Sequence, residues 1–414
     1  MENTKEKAKS FFNYVKTFLK WAVISIMVGS VGGIAGSVFH ICIDRVTEMR
    51  TENPFLIYLL PAGGLFIAFI YHMFSQKERL DTNRVLEALQ QEKNIPFVLS
   101  PLIFTGTLIT HLLGGSAGRE GAALQLGGSI GSGMGKAAKL NQKDMRTVIM
   151  TGMSAVFAAL FGTPVTAAIF SIEVSTVGIM CYEAILPCVL SAVTASHIAK
   201  LFSLGAVKFS YFELGDISVE LFAKTIAFSL LCAVISILFC SGIKVCERAI
   251  KKITKNIYLR ALTGGCILVL ITILVGTYDY NGAGMNVVEN AMQGNAKPEA
   301  FLLKILFTAI TISAGFKGGE IVPAFFVGST FGCVVGPILG MDPALAAALG
   351  FVAVFCGVIN CPVASLVLSV EVFGGQGILL FAIACGICYV MSGNYGLYKS
   401  QKFLRSKING ENLL

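Results

Sequence analysis

Long apolar stretches alternate along the chain with short polar ones. Runs of spanning length occupy about 20–44, 55–74, 96–114, 147–172, 184–202, 220–243, 258–277, 301–316, 324–358 and 376–392. Several are interrupted by Gly, Pro or a charged residue, so the pattern predicts helices that cross a bilayer mixed with helices that only enter it. The polar lead over 1–20 carries no cleavable signal ahead of the first run, and that run is long enough to stay as an anchor.

Composition agrees. With 414 residues, 55% hydrophobic and 14% charged, the chain has too little polar surface to cover a water-soluble globule. The basic residues gather at the N-terminus (Lys5, Lys7, Lys9, Lys16, Lys20), over 135–146, over 244–260 and over 399–407. The positive-inside rule places these segments and both termini in the cytoplasm of a plasma (inner) membrane protein, with the acidic connections 212–220 and 278–290 outside. A net charge of +8 distributed this way suits topology and anionic lipid, not nucleic acid.

The twelve cysteines sit singly within apolar stretches and read as small packing residues. Cys385 and Cys388 make one CxxC with no second pair, and His40, His72, His111 and His197 form no cluster. No metal and no cofactor is expected.

Internal repetition is the strongest signal. The stretch "GMSAVFAALFGTPVTAAIFSIEV" (152–174) is echoed by "GFVAVFCGVINCPVASLVLSVEV" (350–372), and the Pro-to-Glu spacing is the same, Pro164 to Glu173 and Pro362 to Glu371. Upstream, "SAGREGAALQLGGSIG" (116–131) is echoed by "SAGFKGGEIVPAFFVGSTFG" (313–332), and "TNRVLEAL" (82–89) by "MNVVENAM" (285–292). The linker after the first glycine block is basic and the one after the second is not, so the halves insert with opposite orientation. An inverted repeat places a transport pathway at the interface of the halves, built from interrupted helices.

Each repeated glycine block opens an apolar helix. Glycine permits close backbone approach, and a helix start offers unpaired N–H groups and the positive end of a dipole. Pro323 fits a first turn, where no N–H is needed. Two such starts meeting at midplane would hold a small anion weakly enough for fast release. Glu173 and Glu371, at matched helix ends, read as structural, and the small-xxx-small spacings at Gly29/Gly33 and Gly127/Gly131 as close helix packing.

"GREG" with its Gln and GG, "FGTPVTAAIFSIEV", "GGEIVPAFFVG" and "GLYKSQ" together resemble the chloride channel (CLC) family of anion channels and anion/proton antiporters, over about 20–405. The resemblance implies an all-α polytopic membrane protein of about eighteen helices in two inverted repeats, several helices re-entrant or tilted. It divides the chain into a cytoplasmic segment 1–20, repeats 21–202 and 203–405, and a tail 406–414 with no regulatory cytoplasmic domain. It implies a homodimer with one pathway per subunit.

By position, Glu120 matches the family's gating glutamate, and Arg119, between Gly118 and Gly121, the arginine of the same motif. Ile321 and Val322 fall where family backbone amides hold the anion, and Tyr398 where a hydroxyl closes the inner side. The family's serine motif is replaced by "RLDTNRVL", in which Thr82 offers a hydroxyl; Val174 stands where chloride exchangers carry an inner glutamate; Glu320 stands at an apolar position. These departures resemble the fluoride/proton antiporter branch and favour fluoride, with Glu120 and Glu320 carrying protons. Met at the first motif and Thr at the position of Val322, usual in that branch, are absent. Chloride/proton antiport and passive chloride conduction are the alternatives. Glu320 also fits a helix cap, and Tyr398 an interfacial anchor.

"GGSAG" (114–118) and "GGSIG" (127–131) both fit GxSxG, so Ser116 with His111 or His197 is the intramembrane hydrolase reading. Among 44 glycines that pattern arises by chance, and a hydrolase leaves the duplication unexplained. The chain is read as a transport protein and not an enzyme.

Overall fold

The computed structural model describes residues 2–74, 80–209, 217–409 and 411, with side chains from residue 10 onward. The first part of the acidic connection 212–220, the side chains of Lys5, Lys7 and Lys9, and parts of the tail after 409 lie outside the described residues.

Sixteen α-helices form among the described residues, with three short 3-10 turns. The first eight are α1 (Glu2–Glu52), α2 (Leu60–Phe74), α3 (Thr82–Gln91), α4 (Leu99–Leu112), α5 (Glu120–Ala137), α6 (Gln142–Phe161), α7 (Pro164–Glu173) and α8 (Ile185–Leu201). The second eight are α9 (Val219–Ile253), α10 (Ile257–Val275), α11 (Met285–Met292), α12 (Ala300–Ala314), α13 (Ile321–Val335), α14 (Pro343–Ile359), α15 (Pro362–Phe373) and α16 (Ile378–Met391). The repeated blocks fall on α3 and α11, on α5 and α13, and on α6–α7 and α14–α15. Seven helical stretches are long and apolar enough to cross a bilayer, and six shorter apolar helices of 10–17 residues accompany them among the described residues. The protein is a multi-pass membrane protein.

Two apolar runs that the sequence pattern left whole are each two helices. The run 147–172 breaks where Gly162, at φ +67°, ends α6 and Pro164 opens α7. The run 324–358 breaks after Gly336; Asp342 then caps α14 through its side chain, which accepts from Leu345 N at 2.8 Å, and Pro343 occupies the first turn. At the other extreme α1 runs unbroken from the polar lead through the first apolar stretch to Glu52.

Counterparts in the two halves touch each other: α2 packs on α10, α7 on α15, and α5 meets α13. Each half also contributes one carboxylate to the other. Glu371, ending its motif on α15, accepts from Val165 N (3.0 Å) and Thr166 N (2.7 Å) at the start of α7. Glu173, ending α7, accepts from Val363 N (3.1 Å) and Ala364 N (2.8 Å) at the start of α15. Such carboxylate caps join two helix N-termini that would otherwise present unpaired donors inside the protein.

Removing one leaves those amides buried and unsatisfied, so Glu173→Ala is expected to cost about 3 kcal/mol. It should lower the melting temperature in detergent; an unchanged melting temperature would show that the cap stabilises nothing.

Glycine sets the spacing within each half. A Cβ on Gly127 would lie 2.3 Å from Gly152 O on α6, and one on Gly328 would lie 2.1 Å from Gly350 O on α14. Backbone therefore packs on backbone at matched places, and one on Gly29 would likewise lie 2.7 Å from Ser191 O on α8. All twelve cysteines are free thiols, seated mostly in the packed interior.

Candidate functional site

The starts of α5 and α13 meet nose to nose. Gly118 N donates to Gly319 O and Gly319 N donates to Gly118 O, both at 2.7 Å, in an isolated antiparallel bridge. Only glycines allow this approach: a Cβ on Gly319 would lie 2.4 Å from Gly121 N, and one on Gly121 would lie 3.0 Å from Gly319 Cα. The bridge uses the Gly118 amide, so the donors facing the junction belong to the first turns of the two helices.

Glu120 opens α5 at this junction and is fully buried. Its Oε2 accepts from Val322 N at 3.2 Å, in the first turn of α13, while Oε1 has no protein partner. A carboxylate thus lies across the amides of the opposing helix, where an anion would sit. Pro323 follows directly, so no further backbone N–H is present before Ala324 N, which bonds Glu320 O.

Two cavities approach the junction. One, of about 280 Å³, is lined by Thr82, Gln125, Gly318, Glu320 and Tyr398. The other, of about 800 Å³, is lined by Arg119, Val322, Asp44, Arg50 and His111. Glu120 lines neither cavity; its carboxylate bonds Val322, in the wall of the larger one, and adjoins Gly319, next to Gly318 in the wall of the smaller. The Tyr398 side has five basic and three acidic side chains in its wall, which makes it the more anion-attracting mouth.

On that side Gln125, one turn along α5, donates from Nε2 to Thr82 Oγ1 at 2.9 Å, and Thr82 is the first residue of α3. Asp81 caps α3 by accepting from Arg84 N at 3.1 Å. Tyr398 is buried with no protein partner for its hydroxyl, as is Gln125 Oε1. With Glu120 Oε1, these buried polar atoms without protein partners cluster at the junction, the signature of a site that takes a polar guest.

Tyr398 is held by its neighbours in sequence. Ser400 bonds Asn83 and Glu87 on α3 (3.1 and 2.7 Å), and Gln401 Nε2 donates to Val174 O and Ile359 O (3.0 and 2.8 Å). Beyond it, β2 (Lys402–Phe403) pairs in parallel with β1 (Thr176–Val177). The segment carrying the hydroxyl is therefore tied to both halves.

Other positions singled out in the sequence have surroundings of their own. Arg119 does not reach the junction; its guanidinium turns into the larger cavity and pairs with Asp44 at 3.2 Å. Glu320 holds the N-cap position of α13 without a side-chain cap bond, and lines the Tyr398 cavity instead. Ser116 Oγ pairs with Thr308 Oγ1 at 3.1 Å, and His111 Nε2 faces Gly118 O at 3.4 Å, so no Ser–His pair exists there.

Sequence reasoning missed Gln125 as a partner of Thr82, and Lys304. The last is fully buried behind the larger cavity; its Nζ donates to Tyr280 O and Gly282 O (3.2 and 2.7 Å) and lies 4.9 Å from the Phe326 ring. A lysine inside the apolar run 301–316 was its available signal.

Known proteins share this fold. The family described as "Voltage gated chloride channel" matches residues 63–393. A "Chloride/fluoride channel protein" of Pseudomonas syringae pv. tomato is 31% identical over 395 residues, covering 94% of this chain and 87% of that one. The crystal structure of a CLC-type fluoride/proton antiporter superposes with a TM-score of 0.89 at 32% identity, over 93% of this chain and 98% of that one. A slow cyanobacterial Cl-/H+ antiporter shares the fold, with a TM-score of 0.78 at 20% identity over 90% and 94% of the two chains. The matched length, the inverted halves and the meeting helix starts together show that the chain belongs to the voltage-gated chloride channel (CLC) family, whose members are membrane transporters or channels and not enzymes.

Proposed function

We propose that the protein exchanges a small halide for protons, with fluoride the favoured anion and Glu120 the group that couples the two. The observation that carries this reading is the Glu120 carboxylate resting on Val322 N–H between two cavities. An ionised Glu120 competes with the halide for those amides; a protonated one gives them up. Movement of one ion is thereby tied to movement of the other in the opposite direction.

Fluoride is favoured by Glu320 in the Tyr398 cavity together with Val174 where chloride exchangers carry an inner glutamate. The relatives described as a chloride/fluoride channel protein and as a fluoride/proton antiporter, both above 30% identity, support the same reading. Glu320 takes the proton between solution and Glu120, while Thr82, Ile321, Val322 and Tyr398 contact the anion, with Gly118 and Gly121 allowing the approach. Arg119 acts at the entrance from the larger cavity. Two copies associate in the plasma membrane, each with its own pathway and with termini in the cytoplasm.

The test is reconstitution in liposomes loaded with fluoride or chloride, recording anion efflux and internal pH at a set potential. Fluoride efflux that drives protons uphill, with little chloride movement, is the expected result. Glu320→Gln should keep fluoride efflux and reduce its proton coupling at least tenfold. Chloride efflux without proton movement would replace this reading with a passive chloride pathway.

A further inference from the structure

A third cavity lies beside the pathway, between α2 and α10. It measures about 710 Å³ and is lined by Tyr71 and His72 from α2, Lys255, Tyr258 and Arg260 at the start of α10, and Lys317 from the glycine block. Three of these are basic side chains, Lys255, Arg260 and Lys317, and Asp81 is the one acidic residue in the wall among the described residues.

The cavity is equipped for hydrogen bonding. Tyr71 is 8% exposed and its hydroxyl has no protein partner; Arg260 Nε is buried without one as well. Lys317 Nζ stands 3.9 Å from the centroid of the Tyr71 ring, and His72 Nδ1 meets Tyr258 Oη at 3.0 Å, bridging the two helices. Unsatisfied donors beside clustered cations are the chemistry that receives a phosphate group.

The surroundings say what carries that phosphate. Phe66 and Phe69 on α2, and Leu259, Ile267 and Leu270 on α10, are exposed apolar side chains that face hydrocarbon in a membrane. Ile67, Ala68, Ile257 and Ala261 continue this apolar surface into the cavity wall. A cationic pocket between two lipid-facing helices matches an anionic phospholipid, headgroup inside and acyl chains along the helices.

We infer that the α2–α10 cavity binds the phosphate of an anionic phospholipid through Lys255, Arg260, Lys317 and the Tyr71 hydroxyl. The site adjoins the pathway: Asp81, Arg260, Gly315 and Lys317 line both this cavity and the Tyr398 cavity. A lipid held here would share wall residues with the Tyr398 cavity, the mouth proposed for the anion.

Native mass spectrometry of the full chain, purified with phosphatidylglycerol or with phosphatidylcholine, tests this. The wild type should retain phosphatidylglycerol in preference to phosphatidylcholine. Lys255→Gln, at an exposed position, should reduce the retained fraction about fivefold, and Lys255→Gln with Arg260→Gln by more than tenfold. The single variant keeps the test decisive where the double variant fails to fold. Equal retention of both lipids, or retention unchanged by Lys255→Gln, would overturn the inference. Displacement of phosphatidylglycerol by millimolar inorganic phosphate would assign the pocket to free phosphate and overturn the lipid assignment.

Discussion

Glu120→Gln is expected to conduct the anion while moving no protons. Glutamine keeps the length of the side chain and its oxygen still accepts from Val322 N–H, but it carries no charge to compete with the anion and no proton to hand on. In the wild type Glu120 Oε2 occupies Val322 N–H at 3.2 Å, the place proposed for the anion. A charged group held there is displaced only when protonated or when another anion takes the amides, which is the condition for coupling. The neutral amide is bound less tightly, because a charge-assisted hydrogen bond has become an ordinary one. The measurement is paired anion and pH recording in liposomes under an opposing proton gradient. Uphill proton movement at the wild-type ratio would remove Glu120 from the coupling step; loss of anion flux as well would mean that the carboxylate helps the anion through.

Much of this site was legible in the sequence because it rests on backbone. Glycines and prolines at helix starts leave a direct trace, since few other residues allow a Gly118–Gly319 bridge with 2.7 Å bonds. Repetition of that trace marks the two matched halves in the sequence itself. What the sequence left hidden depends on side-chain direction. Arg119 sits next to Glu120 in the chain, yet the two side chains lie on different sides of the junction, one in the larger cavity with Asp44 and one on Val322 N–H. Adjacent residues at a helix start diverge because the backbone turns about 100° per residue there. The breaks within 147–172 and 324–358 were hidden for another reason. Hydropathy reads through a glycine or proline, and a break of a few residues leaves the mean of the run unchanged. Glu173 and Glu371 read correctly as structural from their matched positions, but their partners, the first amides of the opposite α7 and α15 helices, emerge only when the halves are folded against each other.

Gly319→Ala is expected to fold and to lose transport by about a hundredfold. The added Cβ would stand 2.4 Å from Gly121 N, 3.0 Å from Glu120 N and 3.2 Å from Glu120 Oε2. Ordinary contact requires about 1 Å more than the shortest of these; the Cβ position is fixed by its own backbone and Gly121 N is a backbone atom, so no side-chain rotation relieves it. The starts of α5 and α13 must therefore separate by about that amount. Displacements of this size at a reacting centre cost about two orders of magnitude in rate, and the site here is made of the amides that would move apart. Stability should change less than transport, because the carboxylate caps at α7 and α15 and the Gly328–Gly350 contact lie elsewhere and stay intact. Gly375→Ala is the control: a Cβ there meets nothing within 4 Å. The comparison is anion flux per folded protein against melting temperature for both variants. Wild-type flux in Gly319→Ala would show that close approach of the two helix starts is not what holds the anion; a melting temperature that collapses with the flux would make Gly319 a folding residue instead.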